Sequence, residues 1–168
     1  MLCPADLIWS LVAHEGEGKI PVGSMPGTFR LSVKECAKAA KEAQALGIPA
    51  IAVFPHLDGA KMDATGKLAH DANGLVANAV KAMKHAAPDV GIMCDVALDP
   101  FTDHGHDGLI RDGRILNDET IEALVRRLPP APPGETWIGD DAAVLRSPSG
   151  HLLLAADTMV DGVHADLS

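Results

Sequence analysis

The sequence has few cysteines and lacks any long apolar or basic run, and each absence excludes a class of protein. Its three cysteines, Cys3, Cys36 and Cys94, form no C-x-x-C pair, so the sequence predicts neither a zinc ribbon nor a disulfide framework. No apolar stretch approaches ~20 residues, and none follows a basic N-terminal region, so we expect neither a membrane span nor a signal peptide. We therefore expect a protein of the reducing cytoplasm.

The charge of the chain is acidic and carries no basic cluster. With a formal net charge of -9 and no grouping of Lys and Arg, nucleic acids and anionic membrane surfaces are not expected partners, because both require clustered cations. The 168 residues, 47% of them hydrophobic, provide enough apolar side chains for the core of one domain, or of one domain plus a fragment. Small polar ligands stay compatible with this composition.

Short apolar runs alternate with amphipathic repeats along the first three quarters of the chain. The runs predict buried strands at 7–13, 50–54 and 90–98, and the stretch after the first strand is rich in glycine and proline, which predicts an irregular connection. This order predicts α/β architecture with right-handed parallel βα units. Three such units are fewer than half of an eight-unit barrel.

The helices between these strands have start and stop signals. Ser32 and Glu35 fit a capping box for the first helix, which Gly47 ends. The second helix stops before Pro88. The third begins at Asn117 and is predicted to bury one apolar stripe: Ile121, Leu124, Val125 and Leu128.

The composition changes after residue 128. The stretch LPPAPPGE is proline-rich and indicates a boundary, so we predict one domain at 1–128 and a second segment at 129–168. Within the second segment, apolar runs at 142–146 and 151–156 flank the turn SPSG and predict a β-hairpin.

The acids that follow the third predicted strand suggest an active site. Within GIMCDVALDPFTDHGHDG, at 91–108, Asp95 and Asp99 would share a strand face, since side chains two residues apart point the same way. The glycines of the following loop would let Asp107 fold back towards Asp99. Parallel α/β proteins place their chemistry at the carboxyl ends of strands, so we interpret this segment as the floor and mouth of an active site.

Several other polar residues leave two interpretations open. His104 and His106 are compatible with metal ligands, but the spacing H-x-H on a glycine loop is also common in solvated turns, and we favour the interpretation as loop residues. His14 and His56 lie near predicted strand ends, where they could touch a substrate or serve as structural histidines. Cys94 lies within a predicted strand and is interpreted as a small core residue.

The opening part of the chain resembles a known family. The segment at 91–108, followed by ILNDETIEALV, resembles the metal-site segment of porphobilinogen synthase, also called δ-aminolevulinic acid dehydratase. The resemblance extends over roughly residues 4–127 and includes PADLIW, HEG, SMPGTFRLS and AIAVFP. It implies the first three βα units of a (β/α)8 TIM barrel. It also implies the hydro-lyase reaction of haem biosynthesis, in which two molecules of 5-aminolevulinate, held as Schiff bases, condense to porphobilinogen.

The resemblance assigns roles to three acids. Asp95 matches the strand-end acid of the family's active site and is the implied catalytic residue. In zinc-dependent members, cysteines occupy the positions held here by Ala97, Asp99 and Asp107. Carboxylates suit magnesium or no metal rather than zinc, so the resemblance implies an oxygen-type site at Asp99 and Asp107, compatible with magnesium and unlike a zinc centre.

The family's nucleophile is where the sequence departs from the resemblance. A Schiff-base lysine needs a depressed pKa and a place at the end of a barrel strand. The eight lysines, from Lys19 to Lys84, all fall in predicted polar loops or on predicted helices. We therefore expect this chain not to make porphobilinogen by itself.

The last forty residues resemble a second family. IGDDAAVL at 138–145 and ADTMVDGVH at 156–164 resemble the N-terminal nucleotide-binding segment of thiamine-monophosphate kinase. This resemblance implies that acids and a hydroxyl bind magnesium and ATP, a task suited to hard oxygen ligands. The matching positions are Asp140, Asp141, Asp157, Thr158 and Asp161.

Two resemblances in one chain leave its origin open. A genuine fusion joined at about residues 126–133 and a truncated or misassembled reading frame are both compatible with the sequence. A third interpretation is a non-catalytic assembly fragment, because an open parallel sheet has exposed edges that favour association. On either the enzyme or the assembly interpretation we expect a homo-oligomer.

Overall fold

The chain divides into two units, Met1–Leu124 and Val125–Ser168. A computed structural model describes residues 2–95, 97–125, 133, 143–147 and 150–154. The predicted hairpin of the second unit is confirmed: β8 (Ala143–Ser147) pairs antiparallel with β9 (Gly150–Leu154). The predicted nucleotide-binding residues lie outside the described residues: Asp140, Asp141, Asp157, Thr158 and Asp161.

A five-stranded sheet organises the first unit. Its strands are β1 (Ile8–His14), β2 (Lys19–Pro21), β3 (Phe29–Ser32), β4 (Ala50–His56) and β5 (Gly91–Cys94). They lie in the order β2-β3-β1-β4-β5; β1 is parallel to β3 and β4, and β4 is parallel to β5. The predicted α/β class with a parallel sheet is confirmed. Because four of the strands are parallel, their carboxyl ends meet at one edge of the sheet.

The first helix, α1 (Val33–Leu46), begins and ends at the residues that its local signals indicated. The Ser32 hydroxyl accepts the backbone N–H of Glu35 at 3.4 Å and so satisfies one of the free amides of the first turn. Gly47 ends the helix with φ of 77°, a left-handed conformation that glycine adopts without strain.

The second helix, α2 (Leu75–Ala86), packs beside α1 on one face of the sheet. Met83 on α2 and Ile51 and Val53 on β4 are almost completely buried there. Alternate residues of β1, β4 and β5 face the opposite side of the sheet, where Ile8, Phe54 and Met93 are exposed. One sheet face is therefore covered by helices, and the opposite face presents apolar side chains.

Two strand predictions differ from the structure. β2 and β3 lie in the stretch expected to be irregular. β3 is a strand because it pairs with β1, and β2 is a strand because it pairs with β3. β4 continues through Pro55 to His56 instead of ending at Phe54. Proline is tolerated there because β5 accompanies β4 only as far as Val53, so the missing N–H faces an open side.

The third predicted strand is the largest correction. β5 ends at Cys94, whereas the apolar run predicted a strand as far as Leu98. Leu98 is buried, but in a turn that its carbonyl closes by accepting the N–H groups of Phe101 and Thr102. Asp95 and Asp99 therefore do not share a strand face, and that prediction is wrong.

The end of the first unit also departs from the prediction. A small hairpin, β6 (Ile110–Arg111) and β7 (Arg114–Ile115), turns at Asp112 and Gly113, both with positive φ. The dipeptide Asp-Gly is a signal for such a turn. In α3 (Asn117–Val125), Ile121 is 53% exposed, so its predicted burial is wrong. The other three predicted stripe residues have side chains outside the described part.

No helix among the described residues is long and apolar enough to cross a membrane.

Candidate functional site

The candidate site lies at the carboxyl edge of the sheet. β1 ends there at His14, β4 at His56 and β5 at Cys94, and Asp95 follows β5 directly. β1 and β4 end side by side, with His14 opposite His56, whereas β5 ends earlier, with Cys94 opposite Val53. Asp95 is exposed, so its carboxylate is accessible to a ligand from this edge.

The loop at 98–108 brings two more acids to this edge. Its turns are closed by backbone hydrogen bonds, and the Thr102 hydroxyl donates to the His106 carbonyl at 3.0 Å. The side chain of Asp107 comes close enough to Asp99 to raise the pKa of that carboxyl group. The return of Asp107 towards Asp99, which the loop glycines predicted, is confirmed, although the two acids stand on turns and not on a strand.

The electrostatics of Asp99 follow from this approach. Partial burial, the hydrogen bond with Asp107, and the negative charges of Asp107 and Asp95 together raise the pKa of Asp99 above its ordinary value. Burial contributes most, although the residue is still exposed to solvent at the surface. Asp99 and Asp107 therefore form a carboxylate pair in which Asp99 holds its proton more readily than an ordinary aspartate.

The two loop histidines serve as turn acceptors. His104 Nδ1 accepts the N–H of His106 at 3.2 Å, and His106 Nδ1 accepts the N–H of Gly108 at 3.0 Å. Gly108 is required there, because a Cβ at this position would lie 2.6 Å from Ile115 Cγ2. One nitrogen of each imidazole is thus used by the loop itself, which supports the interpretation of both histidines as loop residues.

His14 is a structural histidine. Its side chain is 4% exposed, Nδ1 accepts the N–H of Gly16 at 2.9 Å, and Nε2 lies 3.3 Å from the Gly18 carbonyl. Because Nδ1 accepts, Nε2 is the nitrogen that donates to the Gly18 carbonyl. Both nitrogens are occupied, which leaves neither for a substrate. His56 is exposed at the adjacent strand end and stays accessible.

Cys94 does not fit its predicted place in the core. The residue is exposed, at the last position of β5, beside an apolar groove lined also by Val76, Val80 and Phe101. Partial burial of the thiol nevertheless raises the pKa of Cys94. A thiol with a raised pKa is a poor nucleophile at neutral pH, so the structure gives Cys94 no catalytic role.

Asp63, in the loop between β4 and α2, was not identified from the sequence. Its carboxylate accepts the N–H and the hydroxyl of Thr65 at 2.8 and 2.6 Å, and Lys67 Nζ lies 3.0 Å away. The Thr65 hydrogen bonds and then Lys67 lower the pKa of Asp63. Asp63 also forms a β-bridge to Thr102. The sequence DATG, typical of an Asx turn, could have identified it.

The donor set suits only some metals. Asp99 and Asp107 offer oxygen ligands, which fit a hydrated magnesium ion and not a thiolate zinc centre. Among the residues that the structure describes, no group of three or more His, Cys, Asp or Glu side chains is arranged to hold a metal ion. A cation at this pair would therefore keep several water ligands.

Comparisons with known proteins agree with one another. The delta-aminolevulinic acid dehydratase family model matches residues 1–131. The delta-aminolevulinic acid dehydratase of Bradyrhizobium diazoefficiens is 44% identical over 163 residues, which cover 96% of this chain and 42% of the relative. The chloroplastic delta-aminolevulinic acid dehydratase 1 of Arabidopsis thaliana is 42% identical over 132 residues, 75% of this chain and 30% of the relative.

A solved structure gives the same result. The crystal structure of delta-aminolevulinic acid dehydratase from Toxoplasma gondii, in complex with the reaction product porphobilinogen, matches with a TM-score of 0.72 and 37% identity. The match covers 76% of this chain and 37% of that one. The chain thus spans less than half the length of each of these three relatives.

Proposed function

The chain belongs to the delta-aminolevulinic acid dehydratase family, and we propose that it supplies the acidic part of the site at which that family condenses 5-aminolevulinate to porphobilinogen. The observation that carries this proposal is the meeting of Asp95, Asp99 and Asp107 at the carboxyl edge of the parallel sheet. Parallel α/β enzymes bind their substrates at this edge. The proposed pathway is haem biosynthesis.

The proposed architecture is a partial TIM barrel. The unpaired strand edges in the described part of the sheet support this proposal. Among the described residues β5 pairs only with β4, and β3 pairs only with the last three residues of β1. The apolar face that carries Phe54 and Met93 would be the inner face of the barrel. Further parallel strands would continue the sheet at both sides.

Asp95 has the proposed catalytic role. An exposed carboxylate directly after a barrel strand is suited to bind the ammonium group of 5-aminolevulinate and to accept or return a proton. The pair of Asp99 and Asp107 would hold magnesium, whose chemistry there would be to neutralise developing negative charge. Zinc is not proposed, because Ala97, Asp99 and Asp107 hold the positions that cysteines occupy in zinc-dependent members, so these positions offer no thiolate.

We expect 5-aminolevulinate to bind at these acids. An NMR titration of the chain should shift the signals of Asp95 and of the loop at 98–108, because the ammonium group needs a carboxylate partner. Asp95→Asn should weaken binding by about tenfold or more, the cost of one charged hydrogen bond. The matched control is Asp89→Asn, at the opposite end of β5. Equal affinities of the two variants would contradict the role of Asp95.

We expect no Schiff base on this polypeptide. All eight lysines are within the described residues, on α1, on α2, in the loop at 57–74 or, for Lys19, on β2. Lys19, which the sequence predicts to lie in a loop or on a helix, stands on an exposed antiparallel strand. Because none of them stands directly after the end of β1, β4 or β5, borohydride added with 5-aminolevulinate should trap no adduct by mass spectrometry. A stable adduct on any lysine would refute this expectation.

A second proposal concerns the segment at 129–168, which we infer to bind magnesium and ATP as the kinase resemblance implies. It is supported by the two acidic motifs and by the hairpin of β8 and β9, whose first strand begins within the first motif. ATP binding by calorimetry in the presence of magnesium, lost in Asp140→Ala, would support it. Binding unaffected by this substitution would refute it.

A third proposal is self-association, as a homo-oligomer or a non-catalytic assembly fragment. Ile8, Phe54 and Met93 are exposed on one sheet face, and exposed apolar patches and open strand edges favour association. Sedimentation should therefore detect species larger than the monomer. A monodisperse monomer at high concentration would contradict the proposal.

A further inference from the structure

Thr102 is a buried polar residue of the loop at 98–108. All of its hydrogen-bonding groups are used within that loop. It is 1% exposed. Its N–H donates to the Leu98 carbonyl at 3.0 Å, its hydroxyl donates to the His106 carbonyl at 3.0 Å, and its own carbonyl accepts the N–H of Gly105 at 3.2 Å. A buried hydroxyl with a single defined acceptor contributes to stability only while that acceptor stays in place.

Thr102 donates hydrogen bonds to the two residues that immediately precede Asp99 and Asp107, the acid pair. Leu98 comes immediately before Asp99, and His106 comes immediately before Asp107. One residue therefore fixes the peptide unit that leads into each acid. The hydroxyl bond spans the loop, so its loss would free the segment that carries Asp107 while leaving the Leu98 turn closed.

A second loop holds Thr102 from the other side. Asp63 donates its N–H to the Phe101 carbonyl at 3.3 Å and accepts the N–H of Asp103 at 3.2 Å, which encloses Thr102 in a parallel bridge. The Asp63 carboxylate is in turn fixed by Thr65 and Lys67. The Thr102 methyl packs closely on Gly66, where an added Cβ would lie 3.4 Å from it.

From these contacts we propose that Thr102 is a positioning residue, which holds Asp99 and Asp107 together, and that Asp63 fixes Thr102 to the loop between β4 and α2. The proposal rests on the function proposed for the acid pair, and it adds the group that maintains its geometry. Thr102 touches no reacting atom in this scheme. It acts through the backbone at 98 and 106.

The test compares Thr102→Val, which keeps the shape and removes the hydroxyl, with Thr102→Ser, which keeps the hydroxyl. Amide hydrogen exchange at Gly105 and Gly108 should become about tenfold faster in the valine variant, the loss expected for one buried hydrogen bond. Amides of β4 should exchange as before, and the serine variant should restore protection in the loop. Exchange that rises equally in the loop and in β4, or equally in both variants, would overturn the proposal.

Two further measurements separate this proposal from the proposed function. In the unmodified chain the Thr102 hydroxyl proton should exchange slowly enough to be observed by NMR, and a rapidly exchanging hydroxyl would overturn the proposal even if the valine variant failed to fold. Binding of 5-aminolevulinate should weaken in the valine variant and recover in the serine variant. If the unmodified chain does not bind 5-aminolevulinate, the function proposed for the acids fails, whereas local protection by the Thr102 hydroxyl is still measured independently.

Discussion

Replacing Leu98 by alanine is expected to destabilise the first unit by about 2–5 kcal/mol, the usual cost of removing a completely buried leucine side chain. Leu98 is 0% exposed and precedes Asp99, and its side chain lies close to Gly66 of the neighbouring loop. The cavity would loosen the contact between the two loops, so the acid pair should also separate. Urea denaturation measures the free energy of unfolding, and NMR reports the loop.

The chain offers a matched control for this prediction. Leu46, the last residue of α1, is 54% exposed, so Leu46→Ala removes the same atoms from a site that is largely solvated. Its cost should stay below about 1 kcal/mol. Equal losses in the two variants would contradict the structural role assigned to Leu98.

Magnesium affinity is expected to increase with pH at the acid pair. The raised pKa of Asp99 means that a proton competes with the metal for the same oxygens. Below that pKa the affinity should fall roughly tenfold for each pH unit, because binding then displaces one proton. Calorimetry across the range in which Asp99 titrates measures this dependence directly. A pH-independent affinity would contradict binding at this pair.

Substitution of Asp99 should have opposite effects on metal binding and on folding. Asp99→Asn should abolish magnesium binding and remove the like-charge repulsion by Asp107 and Asp95. The folded state binds the Asp99 proton more tightly than the unfolded state, so this group contributes stability below its unfolded pKa and loses it as pH rises through the folded value. Near neutral pH the free energy of unfolding of the variant should therefore equal that of the unmodified chain or exceed it by up to about 1 kcal/mol, the usual limit for an exposed charge pair.

Asp63 has the opposite dependence. Its pKa is lowered by Thr65 and Lys67, so it stabilises the fold above its unfolded pKa and loses that contribution as pH falls through the lowered value. Asp99 thus stabilises the fold at low pH, and Asp63 stabilises it at neutral pH. Asparagine substitution at one of them should leave the pH dependence of stability that the other contributes.

Local signals predicted the helices well and the strands only in part. Ser32 and Gly47 define α1 because capping is a property of a few adjacent residues. Cys94 and Leu98 belong to one apolar run, and hydrophobicity alone does not distinguish the end of a strand from a buried turn. β3 depends on pairing with β1 and β2 on pairing with β3, so the apolar pattern of either segment alone did not identify them.

The candidate site, like the fold, was predictable from the sequence only in part. The approach of Asp107 to Asp99 was predictable, because glycine-rich loops after a strand can turn back on themselves. The role of Thr102 was not, since one hydroxyl among many loop polar groups carries no pattern until its acceptor is located. The structural use of His14 likewise depends on a four-residue turn that brings Gly16 and Gly18 to its ring.

The proposed site depends most on the approach of Asp107 to Asp99 in this chain. Carbon-detected NMR of aspartate carboxyl groups across pH tests it directly, by comparing the chain with its Asp107→Asn variant. We predict that Asp99 titrates above its ordinary value and that the substitution moves its pKa back towards that value. An ordinary pKa for Asp99, unchanged by the substitution, would contradict the proposed site.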